Sequence, residues 1–166
     1  VYLPSISNAG ARVTGPGTVL LQGEVTDPGS EAPHVWFRYW QGGTATTNEI
    51  DVGAQAGYCS CVITDLPLGV LYEYLLVASN QAGSVVSETR DFTTAVIYHV
   101  SDAVGNDAND GSGWPTALKT IAAAIALAKD GDTILVTNGT YSITAQLTLD
   151  KALNLVSVSG RALTGI

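Results

Sequence analysis

Residues able to do chemistry are few in this chain, and they fall into separate groups. The densest is the run from Asp102 to Gly111, which holds Asp102, Asn106, Asp107, Asn109 and Asp110. Carboxylate and amide oxygens this close together can ligate a hard cation such as Ca²⁺. The run has no glutamate at the twelfth position of an EF-hand loop, and Asn, Asp and Gly are also what a tight surface turn requires. Both readings stand, calcium ligation and plain turn chemistry.

A second group is the stripe Val35-Trp-Phe-Arg-Tyr-Trp40. In a strand it sends Val35, Phe37 and Tyr39 to one face and Trp36, Arg38 and Trp40 to the other. With the first set in a core, two indoles flank a guanidinium on the outside. Such a surface can stack on sugar rings or cover a protein interface, and Arg38 is expected to stack between the indoles. Cys59 and Cys61 lie two apart in a strand pattern, on one face. That spacing suits partly buried thiols better than a mutual disulfide, and no second Cys or His pair completes a metal set. His34 and His99 stand alone as structural or surface residues. Asn138-Gly-Thr140 fits a glycosylation acceptor and also a Gly-x-Tyr turn. Asp130, Asp132 and Asp150 fall at turns, so no catalytic carboxylate pair is assigned.

The elements that position these residues are read from composition and periodicity. The 166 residues are 46% hydrophobic and only 13% charged, with 18 glycines, so a β-rich chain with an ample core is expected. Seven basic against fifteen acidic residues give a net charge of −8, with no basic cluster to hold nucleic acid. No apolar run reaches membrane-span length. The chain begins on Val1 and has no methionine, and it reads as a processed product or an excised fragment. Its acidic, Lys-poor composition suits the cell exterior.

From Val1 to Thr94 short strand patterns recur about every ten residues: Thr18–Val25, Val35–Trp40, Cys59–Thr64, Leu71–Ser79 and Val85–Thr93. This is the rhythm of an antiparallel β-sandwich. Leu66, Gly69 and Tyr72 form a Leu-x-x-Gly-x-x-Tyr corner, followed by Asn80–Gly83 and a closing Phe92-Thr-Thr94. Over residues 4–94 the chain resembles a fibronectin type III-like domain. The resemblance implies that Tyr72 packs its ring on the core while its hydroxyl bonds backbone upstream.

After Thr94 the pattern changes. A strand at Ala95–Val100 and the polar loop precede Ala117, Ile121, Ala124, Ile125 and Ala128 at helical spacing. Pro115 and Gly131 bracket a helix of about four turns, with Lys129 at its negative end. Thr133–Val136, Leu147–Leu149 and Leu153–Val158 follow as strand patterns. Tyr98–Ser101, Gly105–Gly111, Thr120–Ala123 and Gly131–Tyr141 resemble the entry of right-handed parallel β-helix proteins of the pectate-lyase kind. The resemblance covers residues 96–166 and implies a helix that plugs the first coil, followed by one to two rungs. Stable solenoids need about three repeats, so the open end is expected to continue in a longer chain or against another copy.

Two domains are therefore expected, 1–94 as the sandwich and 95–166 as the capped and incomplete start of a β-helix. The chain reads as a non-catalytic bacterial surface, adhesion or fibre-forming protein, extracellular, with no cofactor other than Ca²⁺. Its expected partners are copies of itself or a continuing chain through sheet edges, or polysaccharide. Two rivals stand beside this. One is the front portion of a polysaccharide lyase or glycoside hydrolase whose chemistry lies beyond Ile166. The other is a glycan-binding module using Trp36 and Trp40.

Overall fold

The computed structural model describes residues 1–143 and 146–160, and the backbone of 164–165. It divides into two compact units, Val1–Thr94 and Ala95–Ile166. No described helix is long and apolar enough to cross a membrane.

The first unit is an antiparallel sandwich of two sheets. Strands β1 (Ser5–Gly15), β2 (Thr18–Asp27), β3 (His34–Gln41), β4 (Asn48–Ala54), β5 (Gly57–Ile63), β6 (Leu71–Asn80), β7 (Gly83–Val86) and β8 (Arg90–Thr93) follow in chain order. One sheet runs β1-β2-β5; the other runs β4-β3-β6-β7, with β8 also on β6. The period of two explains the core. Val19, Leu21 and Val25 from β2 meet Val35 and Phe37 from β3 and Tyr72, Tyr74, Leu76 and Ala78 from β6. Fully burying a side chain of this size contributes about 1.5–3 kcal/mol.

Three sequence expectations change here. The stretch Val85–Thr93 is two strands, not one. Ser87 interrupts it, accepting the Leu76 N–H on its hydroxyl and donating its own N–H to the Leu76 carbonyl. Thus β7 and β8 lie end to end along one edge of β6. Strands β1 and β4 carry no clear alternation in the sequence. A shift of register between Asn8 and Gly10 breaks the period in β1, the longest strand of the chain.

The third change concerns the corner. The Tyr72 ring packs in the core, 5.5 Å from Phe92 and nearly parallel to it. Its hydroxyl makes no hydrogen bond among the described residues, contrary to expectation. Buried Thr94 closes the corner instead. Its Oγ1 donates to the Pro67 carbonyl at 2.6 Å and accepts the Val70 N–H at 2.9 Å. The Thr94 backbone accepts from Gly69 N–H and donates to the Val70 carbonyl. The segment that holds Leu66 and Gly69 is thus clamped to the end of β8.

Cys59 and Cys61 are free thiols on the inward face of β5. Burial pushes both up, Cys61 to about 12 with the neighbouring Cys59 adding to it. A thiol held this high is protonated and a poor nucleophile at neutral pH.

In the second unit β9 (Ile97–Val100), β10 (Thr133–Val136) and β12 (Asn154–Ser157) form a parallel sheet in the order β12-β10-β9. The two-residue strands β11 (Gly139–Thr140) and β13 (Thr164–Gly165) pair in parallel beside it. Thr133 pairs with Asn154 and Gly139 with Thr164, so equivalent positions recur after 21 and then 25 residues. The Leu147–Leu149 pattern forms no strand.

The expected long helix is short. α1 covers Ile121–Leu127, with Ile121, Ala124 and Ile125 buried at helical spacing. Pro115 belongs to a separate 3₁₀ turn, Trp114–Thr116. Ala117 and Leu118 cannot be helical, because Leu118 bridges to Val100 in extended conformation. Lys129 lies beyond the helix. Lys151 serves the negative end, its Nζ donating to the Ile125 carbonyl at 2.9 Å.

Three outcomes are expected for the first unit. Thr94→Val should lower its unfolding free energy by about 1–3 kcal/mol, since the Pro67 carbonyl and the Val70 N–H, both in part-buried hydrogen bonds, lose their partner. Tyr72→Phe should stay within about 0.5 kcal/mol, as read from urea midpoints. A thiol-reactive disulfide reagent at pH 8 should leave Cys59 and Cys61 unmodified until denaturant unfolds the sandwich; prompt labelling of the native chain would contradict their burial.

Candidate functional site

Backbone hydrogen-bonding at the two edges of the parallel sheet distinguishes one end of the second unit from the other. Strand β9 has an outer edge that does not face β10. There His99 N–H donates to the Gly111 carbonyl at 2.8 Å, Leu118 N–H to the His99 carbonyl at 2.9 Å, and Ser101 N–H to the Leu118 carbonyl at 2.8 Å. The polar loop thus folds back and fills the edge. On the other side, β12 pairs with β10 and with no further described strand. Leu155, Val156 and Val158 there are 45%, 44% and 53% exposed. An edge that no described strand covers and that carries apolar side chains is a template for strand addition.

The loop can seal β9 because its polar groups are spent on itself. Gly105 runs against the backbone: a Cβ at this position would stand 2.2 Å from the Leu118 carbonyl oxygen and 2.3 Å from that of Ser101. Only glycine fits that approach. Asp107 Oδ1 accepts the N–H groups of Lys119 and Thr120, both at 2.8 Å, and Oδ2 accepts the Thr120 hydroxyl at 2.9 Å. Thr120 Oγ1 in turn accepts the Ala123 N–H and caps α1. Partial burial alone would raise the Asp107 pKa. The hydrogen bonds from Thr120 and Lys119, with the nearby Lys119 ammonium, outweigh it and hold the carboxyl below its usual range.

The remaining calcium candidates are likewise occupied. Asn106 Oδ1 accepts the Ala108 N–H, and Asn109 Nδ2 donates to the Ala117 carbonyl. Asp110 accepts both the N–H and hydroxyl of Ser112, which lower its pKa. The Asp102 carboxylate lies 3.9 Å from Lys119 Nζ. The described residues include no group of three His, Cys, Asp or Glu placed to hold a metal.

Two further side chains organise the unit. Buried Asp132 accepts the Val96 N–H and the Lys129 N–H, each at 2.7 Å, one on each oxygen. It ties the start of β9 to the turn after α1. Buried Tyr141 brings its hydroxyl among the Val100 and Thr137 carbonyls and the Asp102 N–H. The ring-in, hydroxyl-to-backbone role expected of Tyr72 is filled here. The Gly-x-Tyr spacing signalled Tyr141; Lys151 carried no local signal, because its partner is 26 residues away. Asp130 accepts the Ala152 N–H.

A cleft of about 480 Å³ is lined by Asp102, Lys119, Thr120, Tyr141, Ile143 and Leu147 among others. Its charges are the Asp102–Lys119 pair, and its described wall holds neither His nor Cys. His99 packs edge-on against Trp114, its ring 4.5 Å away, with Nδ1 3.2 Å from the Gly111 carbonyl. Asn138 is exposed.

In the sandwich, the stripe has the expected facing, with Val35 and Phe37 buried and Trp36, Arg38 and Trp40 half-buried on the outside. Arg38 does not stack between two indoles. Its guanidinium lies 5.9 Å from the Trp36 ring centroid and pairs with Glu49. Trp40 is drawn to its cross-strand neighbour, donating Nε1–H to Glu73 at 2.7 Å. His34 is not isolated, since its Nε2 meets Asp51 at 2.7 Å.

Residues 103–159 match a family described as a protein of unknown function, DUF1565. No curated protein matches the chain. Similar solved structures include one titled a myokine structure, 16% identical with a TM-score of 0.48, covering 56% of this chain and 98% of that one. A sensor domain of the anti-sigma factor RsgI4 of Pseudobacteroides cellulosolvens is 16% identical, TM-score 0.45, covering 55% and 93%. The fn3 domain of the human collagen alpha-1(XX) chain is 22% identical, TM-score 0.43, covering 55% and 84%. Residues 1–94 share with fibronectin type III domains the architecture of two antiparallel sheets packed as a sandwich.

Asp107→Ala should cost the second unit about 1 kcal/mol at pH 7, as for a lost helix cap. With its folded pKa depressed, this contribution is complete above the ordinary carboxylate range and is lost as pH falls through the folded value. The stability gap between wild type and Asp107→Asn, followed by urea unfolding, should therefore narrow on acidification. A gap constant from pH 7 to pH 2 would contradict this role.

Proposed function

We propose that the chain is a non-catalytic structural or adhesive element of the cell exterior, in which a fibronectin type III-like sandwich leads into the capped first coils of a right-handed parallel β-helix. The observation that carries this reading is the asymmetry of the parallel sheet, with the outer edge of β9 filled by Gly111 and Leu118 and no described strand beyond β12. The stacking of β10 under β12 and of β11 under β13, at intervals of 21 and 25 residues, is what successive coils of a solenoid produce. Growth is then one-directional. The next coil lies on β12, supplied by a further stretch of chain or by another copy, and β9 is the finished end.

The described carboxylates of the second unit support a structural role, since Asp107, Asp110, Asp130 and Asp132 each accept backbone N–H groups. A glycan-binding reading draws on the outward Trp36 and Trp40, but Glu73 already uses the Trp40 N–H and Arg38 pairs with Glu49. The surface and adhesion role fits the acidic, Lys-poor composition.

The test is sizing of the purified chain by light scattering across a concentration series, with hydrogen exchange on the same samples. The proposal expects concentration-dependent association that Val156→Lys suppresses, and β12 amides that exchange faster than those of β9 in the dilute chain. A chain that stays monomeric while β12 is as protected as β9 would overturn it.

A further inference from the structure

Asn138 and Gly139 form the only Asn-Gly pair in the sequence; the other asparagines precede Ala, Glu, Gln, Asp or Leu. Asn138 is exposed, and its side chain has no hydrogen bond among the described residues. Of the other asparagines, Asn8 is buried, Asn48, Asn80, Asn106 and Asn109 each make a side-chain hydrogen bond, and exposed Asn154 precedes the bulky Leu155. The glycine cannot readily be exchanged for a residue that would slow the reaction. Gly139 has φ 156°, and a Cβ there would stand 3.2 Å from Asp102 Cβ and 3.5 Å from Tyr141 Cε2. Packing therefore keeps a residue with no side chain to shield its amide nitrogen directly after an exposed carboxamide.

We propose that Asn138 is a site of spontaneous, non-enzymatic modification, closing to a succinimide and opening to aspartyl and isoaspartyl forms at the junction of β10 and β11. Hydroxide removes the Gly139 amide proton, and that nitrogen bonds to Asn138 Cγ. The Cγ–Nδ2 bond breaks, and Nδ2 takes up a proton and leaves as ammonia. Water then opens the ring at either carbonyl, giving a normal aspartate or a backbone lengthened by one carbon. Either product places a new carboxylate in the segment that passes Asp102. The isoaspartyl form also lengthens the connection between Thr137 and Tyr141, whose hydroxyl group lies within hydrogen-bonding distance of the Val100 and Thr137 carbonyls. This chemistry is independent of the proposed structural role.

The test is incubation of the purified full chain, made in a host without N-glycosylation, at pH 7.5 and pH 9. Peptide mass spectrometry and an isoaspartyl methyltransferase assay follow the products. The expected result is loss of the amide at Asn138 ahead of every other asparagine, faster at pH 9, with methyl-accepting product absent from Asn138→Gln. Aged wild type should melt at a lower temperature than fresh protein, and Asn138→Asp separates the effect of charge from that of chain lengthening. An Asn138 peptide that stays intact while other asparagines deamidate, or that shows no pH dependence, would overturn the proposal.

Discussion

Every backbone N–H and C=O at the margin of a sheet needs a partner, and in the second unit this requirement decides the arrangement of everything else. Strand β9 needs hydrogen bonds on both sides, and among the described strands only β10 pairs with it. The loop supplies the other side through Gly111 and Leu118. For Leu118 to reach β9 it must be extended. α1 therefore cannot begin before Ile121, and the loop must double back past Gly105, where there is no room for a side chain. Asp107 then becomes necessary, since it collects the N–H groups of Lys119 and Thr120 that the interrupted helix leaves over. In this way the Asp- and Asn-rich loop finishes an edge.

The interior of the same unit is organised by two long-range polar anchors. Asp132 holds Val96 and Lys129, and Tyr141 links the ends of β9 and β10. Both are buried, so their hydrogen bonds are made away from competing water and leaving one unmade would be costly. Thr94 does similar work in the sandwich, where one hydroxyl both donates and accepts at the turn before β6. In each case a small polar group ties a connection to a strand end, while the apolar period of the strands supplies the bulk of the burial.

Particular residues show how far local reasoning reaches. Val19, Leu21, Val35 and Phe37 announce their strands because the side-chain period of two is a property of the backbone. Ser5–Gly15 hides its strand, since a bulge shifts the phase and Ala and Gly carry little apolar contrast. The Ile121, Ala124 and Ile125 spacing marks the helix, yet Ala117 and Ala128 share that spacing and lie outside it while still being buried. Period alone does not distinguish a helical turn from an extended residue that faces the same core. The aromatic stripe faces as alternation requires, but the partners of Arg38 and Trp40 are carboxylates on neighbouring strands.

By itself the sequence determined the change of grammar near Thr94, the alternating inward faces, the position of the short helix and the Gly-x-Tyr turn, because each rests on contacts between residues close along the chain. Only the tertiary structure decided which oxygens the loop spends on backbone, that Thr94 rather than Tyr72 closes the corner, that Lys151 finishes the helix, and which sheet edge is filled. Most of those outcomes depend on groups far apart along the chain, from the 12 residues between Asp107 and Lys119 to the 26 between Lys151 and Ile125, and competition among such groups is resolved only when the chain is folded.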